Sequence, residues 1–249
     1  MRVALIAPYS LMPSIPQTGY HLVLAHLLGN KTYRDFVREA PGHKILDNGA
    51  AEEVVTGPEE LVQLASDIDA TEIVVPDVQR EALQTVKLAS EFKTAALEHP
   101  EFRYVGVLQG ETTLQRQHVM DQMMALEYID VFAVPRNAVR DGMERADLMV
   151  DAYSLFPDLK FHALGSSEWC EEVKVLSNLP NVRGADTAMP IKMGINRQYL
   201  TPSSCYLYLP HDEGYFEWDR TGSVWSIIVD NIRTYLNWAK CEASPPSGL

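Results

Sequence analysis

Cysteine is scarce in this 249-residue chain. Cys170, Cys205 and Cys241 are far apart and odd in number, so no disulfide framework is expected and a reducing cytoplasm fits best. Long apolar runs are missing too. A membrane-spanning helix needs about 20 consecutive apolar residues, so none is expected. Met1 to Gln17 hold one Arg and only a short apolar stretch. They read as a buried first strand, Val3–Ala7, rather than as a signal peptide.

Positive charge is the third shortage. Lys and Arg total 21 against 34 Asp and Glu, which gives a net charge of -13 and a pI near 4.9. A general nucleic-acid coat is basic overall, so that class is excluded. A local basic face on an acidic protein still binds nucleic acid, because the placement of the charges decides.

Motifs for common cofactors are absent as well. No G-x-G-x-x-G or P-loop follows an apolar run, which removes the usual dinucleotide and nucleoside triphosphate readings. No H-x-H, H-E-x-x-H or C-x-x-C spacing occurs, and the seven histidines do not cluster. Serine hydrolysis lacks its G-x-S-x-G elbow. No cofactor is expected, although a carboxylate-held Mg²⁺ stays open. Cys170 opens an expected helix but has no basic partner nearby in sequence, so it reads as structural.

What is present is alternation. Strands are expected at Val3–Ala7, Lys44–Asn48, Glu72–Asp77, Tyr104–Gln109, Ile129–Val134, Lys160–Leu164 and Arg183–Thr187, with Ser204–Leu209 as the eighth. Helices are expected at Tyr20–Leu28, Pro58–Ile68, Arg80–Leu97, Leu114–Leu126, Val139–Leu155, Trp169–Leu179 and Val224–Lys240. Alternating strands and helices imply a parallel sheet. An open doubly wound sheet gathers its site at one switch point, whereas a barrel builds it from many strand ends. The polar residues here recur at many strand ends, so the expected fold is an α/β (β/α)8 TIM barrel. It spans residues 1–242 as one domain, with residues 243–249 as a flexible tail.

Those strand ends carry the chemistry. They are Asp47-Asn48-Gly49, Asp77, Gln109-Gly110, Arg136-Asn137, His162 with Gly165, and Asp186. Carboxylates sharing one barrel mouth raise one another's pKa and commonly serve a proton transfer, a covalent step or a metal. Each residue also has a plainer use. Asp-Asn-Gly suits a turn, Asp77 suits a helix N-cap, and a histidine in an apolar strand suits a satisfied core.

In order and spacing these motifs resemble those of the tRNA-guanine transglycosylases. The matching segments are Asp47 to Glu52, Leu108-Gln109-Gly110, Val131 to Val139, Ala163-Leu164-Gly165-Ser166 and Asp186 to Lys192. The chain departs from the tRNA enzymes in two ways. After Asp186 it holds only Cys205, His211 and Cys241 where they carry a C-x-C-x-x-C and His zinc site, so the zinc-binding subdomain is missing. Pro135-Arg136 also replaces their glycine pair. Both features look more like the small phage-type members that insert 7-deazaguanines into DNA.

The resemblance implies that guanine is exchanged for a 7-deazaguanine base in DNA, or less readily in tRNA. Asp186 would be the covalent nucleophile and Asp47 the acid that then acts as base. It places Asp77 on the N1–H and 2-amino edge of the purine, Gln109 and Gly110 at O6, His162 stacked on the ring, and Arg136 and Asn137 in the base pocket. Lys44, Arg136, Lys192 and Arg197 are the candidates for phosphate contact. A free-nucleoside enzyme and a non-catalytic partner subunit are the alternatives.

Overall fold

A computed structural model describes residues 1–50, 56–136, 145–165, 170–202, 214–219 and 224–242. Among these residues eight strands occur. They are β1 Arg2–Leu5, β2 Tyr20–Leu24, β3 His43–Asp47, β4 Glu72–Val74, β5 Arg103–Val107, β6 Ile129–Pro135, β7 Lys160–Leu164 and β8 Val182–Thr187. Every ladder is parallel, and the order is β1-β8-β7-β6-β5-β4-β3-β2. The ends of that order, β1 and β2, pack side by side without a ladder, so the sheet is a nearly closed (β/α)8 barrel. Apolar side chains such as Leu5, Leu22, Val23, Tyr33 and Phe36 line this seam.

Helices α1 Lys31–Glu39, α2 Pro58–Asp67, α3 Ala82–Glu98, α4 Thr113–Met124, α5 Arg145–Leu155, α6 Cys170–Leu176, α7 Met189–Ile195 and α8 Trp225–Trp238 complete the architecture. Parallel neighbours need crossover connections, and these helices supply them. In α3 the buried positions are Ala82, Thr85, Ala89, Phe92 and Ala96, spaced three and four apart. Helix α4 begins with a capping box in which the Thr112 side chain accepts from Gln115 N and the Gln115 side chain accepts from Thr112 N. No described helix is long and apolar enough to cross a membrane.

The eighth strand is not where the sequence places it. Tyr20–Leu24, expected within a helix, is strand β2, and only Ala25–Leu27 form a short 3-10 turn. Four of its five residues are buried. A strand covered on both faces loses its alternation and reads as an apolar run of either type. Residues 204–209 and the tail at 243–249 lie outside the described residues. Helices α1 and α7 are additions. The first is short and capped by Asn30, whose Oδ1 accepts from Tyr33 N at 3.2 Å, and the second opens on Met189-Pro190.

At the N-terminal end of the barrel lies an ionic cluster. Glu72 of β4 is fully buried and receives both guanidinium arms of Arg183 from β8. Arg103 Nη2 lies 3.0 Å and His43 Nε2 3.2 Å from the same carboxylate. Burial alone would push the Glu72 carboxyl up, but His43 and Arg183 outweigh it and hold the group down at about 2.

Candidate active site

The opposite, C-terminal end of the barrel gathers the predicted polar residues. Asp186 sits one residue before the end of β8, paired in register with Ala4 of β1. It is 6% exposed. Its Oδ1 accepts two hydrogen bonds, from His162 Nε2 at 3.0 Å and from Gly165 N at 2.9 Å. Among the described residues no donor reaches Oδ2.

Behind Asp186 stands a hydrogen-bonded column. His162 Nδ1 is 2.9 Å from the Tyr20 hydroxyl, and both residues are buried. Burial pushes the His162 pKa down, although Asp186 opposes the shift, which favours the neutral ring. A neutral ring that donates from Nε2 must accept at Nδ1, so Tyr20 is the donor there. Burial also pushes the Tyr20 pKa well up, which keeps its proton in place. Tyr20 stacks on His43 with centroids 5.3 Å apart and lies under the Arg2 guanidinium at 4.4 Å. Its ring fills the space beside Gly184, where an added Cβ would come within 2.5 Å of Cε1.

A second network spans the ends of β3, β4 and β5. Asp47 closes β3, is buried, and accepts from Gly49 N at 3.2 Å. Gly49 adopts a φ of 82°, which glycine takes without strain. Asn48 donates from Nδ2 to Val75 O and to Asp77 Oδ1, each at 2.8 Å. Gln109 Nε2 donates to the other Asp77 oxygen at 2.6 Å, while its Oε1 accepts from Arg80 N at 2.9 Å. Burial raises the Asp77 pKa, with the Asn48 and Gln109 bonds opposing. Gly110 holds a φ of 139°, and an added Cβ would lie 2.8 Å from Gln115 Cβ.

Several expected roles change with this geometry. His162 is enclosed and holds Asp186, so it has no face to stack on a purine. The Gln109 amide is committed at both ends to Asp77 and Arg80, so it positions Asp77 rather than meeting O6. Lys44 follows the first residue of β3, at the barrel's other end. It is buried, with Nζ donating to Ile68 O at 2.9 Å and Arg38 O at 3.1 Å. No phosphate at the mouth reaches it.

Arg136 remains exposed just beyond β6, with its amide donating to Leu164 O at 2.9 Å. Lys192 is the middle residue of the seven-residue helix α7, which begins at the mouth, and its Nζ sits 5.0 Å above the Tyr215 ring. Arg197 is exposed past the far end of that helix, with a φ of 57°. Asn137 lies outside the described residues.

No family model matches the chain, and no characterised protein matches it.

Two site residues were missed by the sequence reading. Tyr20 was hidden because its segment reads as helix. Arg145 was hidden because an arginine in a helix normally reads as solvated. It is fully buried, donating from Nη1 to Gly165 O at 2.7 Å, Leu164 O at 3.1 Å and Val134 O at 3.2 Å. Both its other arms meet Glu172 at 2.9 Å. It thereby secures the loop whose Gly165 amide holds Asp186. The mouth thus offers an anchored carboxylate, a second buried carboxylate and a third whose charged form is disfavoured, which suits covalent and proton-transfer chemistry.

Proposed function

We propose that this barrel exchanges guanine for a 7-deazaguanine base in DNA through a covalent glycosyl-enzyme on Asp186. The observation that carries this reading is that Asp47, Asp77 and Asp186 all lie at or just beyond the C-terminal ends of strands of one barrel, β3, β4 and β8. Three such carboxylates match the three tasks of the reaction.

Breaking the glycosidic bond leaves an oxocarbenium-like C1′, which a carboxylate captures. Asp186 takes that role. The departing guanine needs a proton at N9 and the incoming base must lose one, so Asp47 first gives a proton and then accepts one. Asp77 accepts from the N1–H and 2-amino group, which guanine and 7-deazaguanines share. Its oxygens keep lone pairs for this purpose, because each takes one protein donor and a carboxylate offers about four acceptor sites. In duplex DNA the target nucleotide must first leave the stack. Arg136, Lys192 and Arg197 remain as phosphate contacts, and tRNA is the less favoured polymer.

The test is exchange of labelled guanine into DNA and tRNA, with and without a competing 7-deazaguanine. Incorporation of label into DNA that the 7-deazaguanine suppresses supports the reading, and inertness toward both polymers overturns it. The net charge of -13 and the burial of Lys44 favour a second reading, a transferase acting on free nucleosides. DNA affinity that falls steeply with salt separates the two, since phosphate contacts release counterions.

A further inference from the structure

We infer that His162 and Tyr20 are positioning residues that grip Asp186 by Oδ1, present Oδ2 to the sugar carbon and let the carboxylate leave again. The inference rests on the proposed role of Asp186 as nucleophile.

Base exchange makes one demand that simple hydrolysis by a general base does not. The same carboxylate must form a bond and then break it. In the first half, an Oδ2 lone pair bonds to C1′ while the C1′–N9 bond breaks. Its electron pair departs with the base, which takes the Asp47 proton. The product is a glycosyl ester in which Oδ1 has become the carbonyl oxygen. In the second half, the new base gives its N9 proton to Asp47 and bonds to C1′ through N9. The C1′–Oδ2 electron pair returns to Asp186.

The geometry divides the two oxygens for this cycle. Oδ1 carries both protein donors, from His162 and Gly165, and Oδ2 accepts from no described residue. A donor binds a charged carboxylate about twice as strongly as a neutral acceptor. The two donors therefore favour the free carboxylate over the ester and speed the second half relative to the first. Tyr20 fixes the arrangement by donating to Nδ1, which leaves the ring proton on Nε2, facing Asp186. Only glycine at position 184 leaves room for that ring.

A merely structural polar pair would behave differently, and three variants separate the cases. His162→Leu removes the donor. His162→Gln keeps an N–H near the Nε2 position. Tyr20→Phe removes only the hydroxyl. Each is assayed for guanine exchange in DNA and for the fraction of protein carrying a denaturant-stable nucleic-acid adduct. Nitrogen-15 NMR of histidine-labelled wild-type protein reports the His162 tautomer.

His162→Leu is expected to exchange about 10- to 100-fold more slowly while its adduct fraction rises. His162→Gln is expected to recover part of the rate, and Tyr20→Phe to show a smaller change of the same kind. The wild-type ring is expected as the neutral Nε2–H tautomer. A rate and adduct fraction that fall together in folded His162→Leu, or an unchanged rate, overturn the leaving-group role. An Nδ1–H or doubly protonated ring overturns the anchoring geometry. Wild-type protein inert toward DNA, tRNA and nucleosides yet showing the Nε2–H ring overturns Asp186 as nucleophile, and the leaving-group role with it, while upholding the grip on Oδ1.

Discussion

Arg145 Nη1 donates to the carbonyl oxygen of Gly165 at 2.7 Å, and the amide of that same glycine holds Asp186 at 2.9 Å. A buried arginine on the outer helix layer thus reaches the candidate nucleophile through a single residue. Its Glu172 partner neutralises this fully buried guanidinium. Removing one member of a buried pair leaves an uncompensated charge and costs about 3–5 kcal/mol. Glu172→Gln is expected to destabilise the protein on that scale in urea unfolding. The double variant Arg145→Met with Glu172→Leu should lose much less than the sum of the single changes.

Asp186→Asn is expected to abolish guanine exchange while leaving the fold intact. Asn keeps an oxygen that accepts from His162 and Gly165, so the anchoring bonds survive, but an amide does not capture C1′. Asp47→Asn should reduce exchange by about 100-fold or more, the usual scale of lost proton transfer. Circular dichroism and the exchange assay together decide this. A folded Asp186→Asn protein with full activity would end the covalent reading.

Asp77 should read the base in a pH-dependent way. Burial raises its pKa above the ordinary 3.8. Guanine affinity is therefore expected to strengthen as pH rises through the raised value, because only the carboxylate accepts both donors of the purine edge. Stability moves the other way. The folded state holds the Asp77 proton more tightly, so this group's contribution is present below 3.8 and is lost as pH rises through the folded value. Asp77→Asn should weaken guanine binding about 10- to 100-fold, as measured by calorimetry.

Glu72 gives the opposite sign at the other end of the barrel. Its carboxyl is held at about 2 against an ordinary 4.5. A depressed folded pKa contributes stability that is complete above 4.5 and is lost as pH falls from there toward about 2. Urea midpoints of the wild type should drop across that window. Glu72→Gln should start lower by about 3 kcal/mol, because Arg183 loses its partner, and should show a flatter response.

How much of this was legible follows the length scale of each feature. Seven strands were placed correctly to within a few residues, because most are short apolar runs that alternate with amphipathic helical stretches. Tyr20–Leu24 was misread because a strand buried on both sides has no alternation to show. The carboxylates at 47, 77 and 186 were visible as polar residues ending apolar runs. Their partners were not. That Gln109 spends its amide on Asp77, that His162 faces Asp186, and that Lys44 turns toward the barrel floor are contacts between residues far apart in the chain.

By itself, then, the amino-acid sequence determined the parallel barrel and which residues end its strands, since both follow from local periodicity and chain direction. Only the tertiary structure decided what those residues do to one another. Closing the sheet brings Tyr20, His162 and Asp186 from three separate strands into one column. It also sends Lys44 and Asp47, three residues apart on β3, to opposite ends of the barrel. The hydrogen bonds that orient Asp186, and the burial that sets the proton affinities of His162 and Asp77, exist only once the barrel has closed.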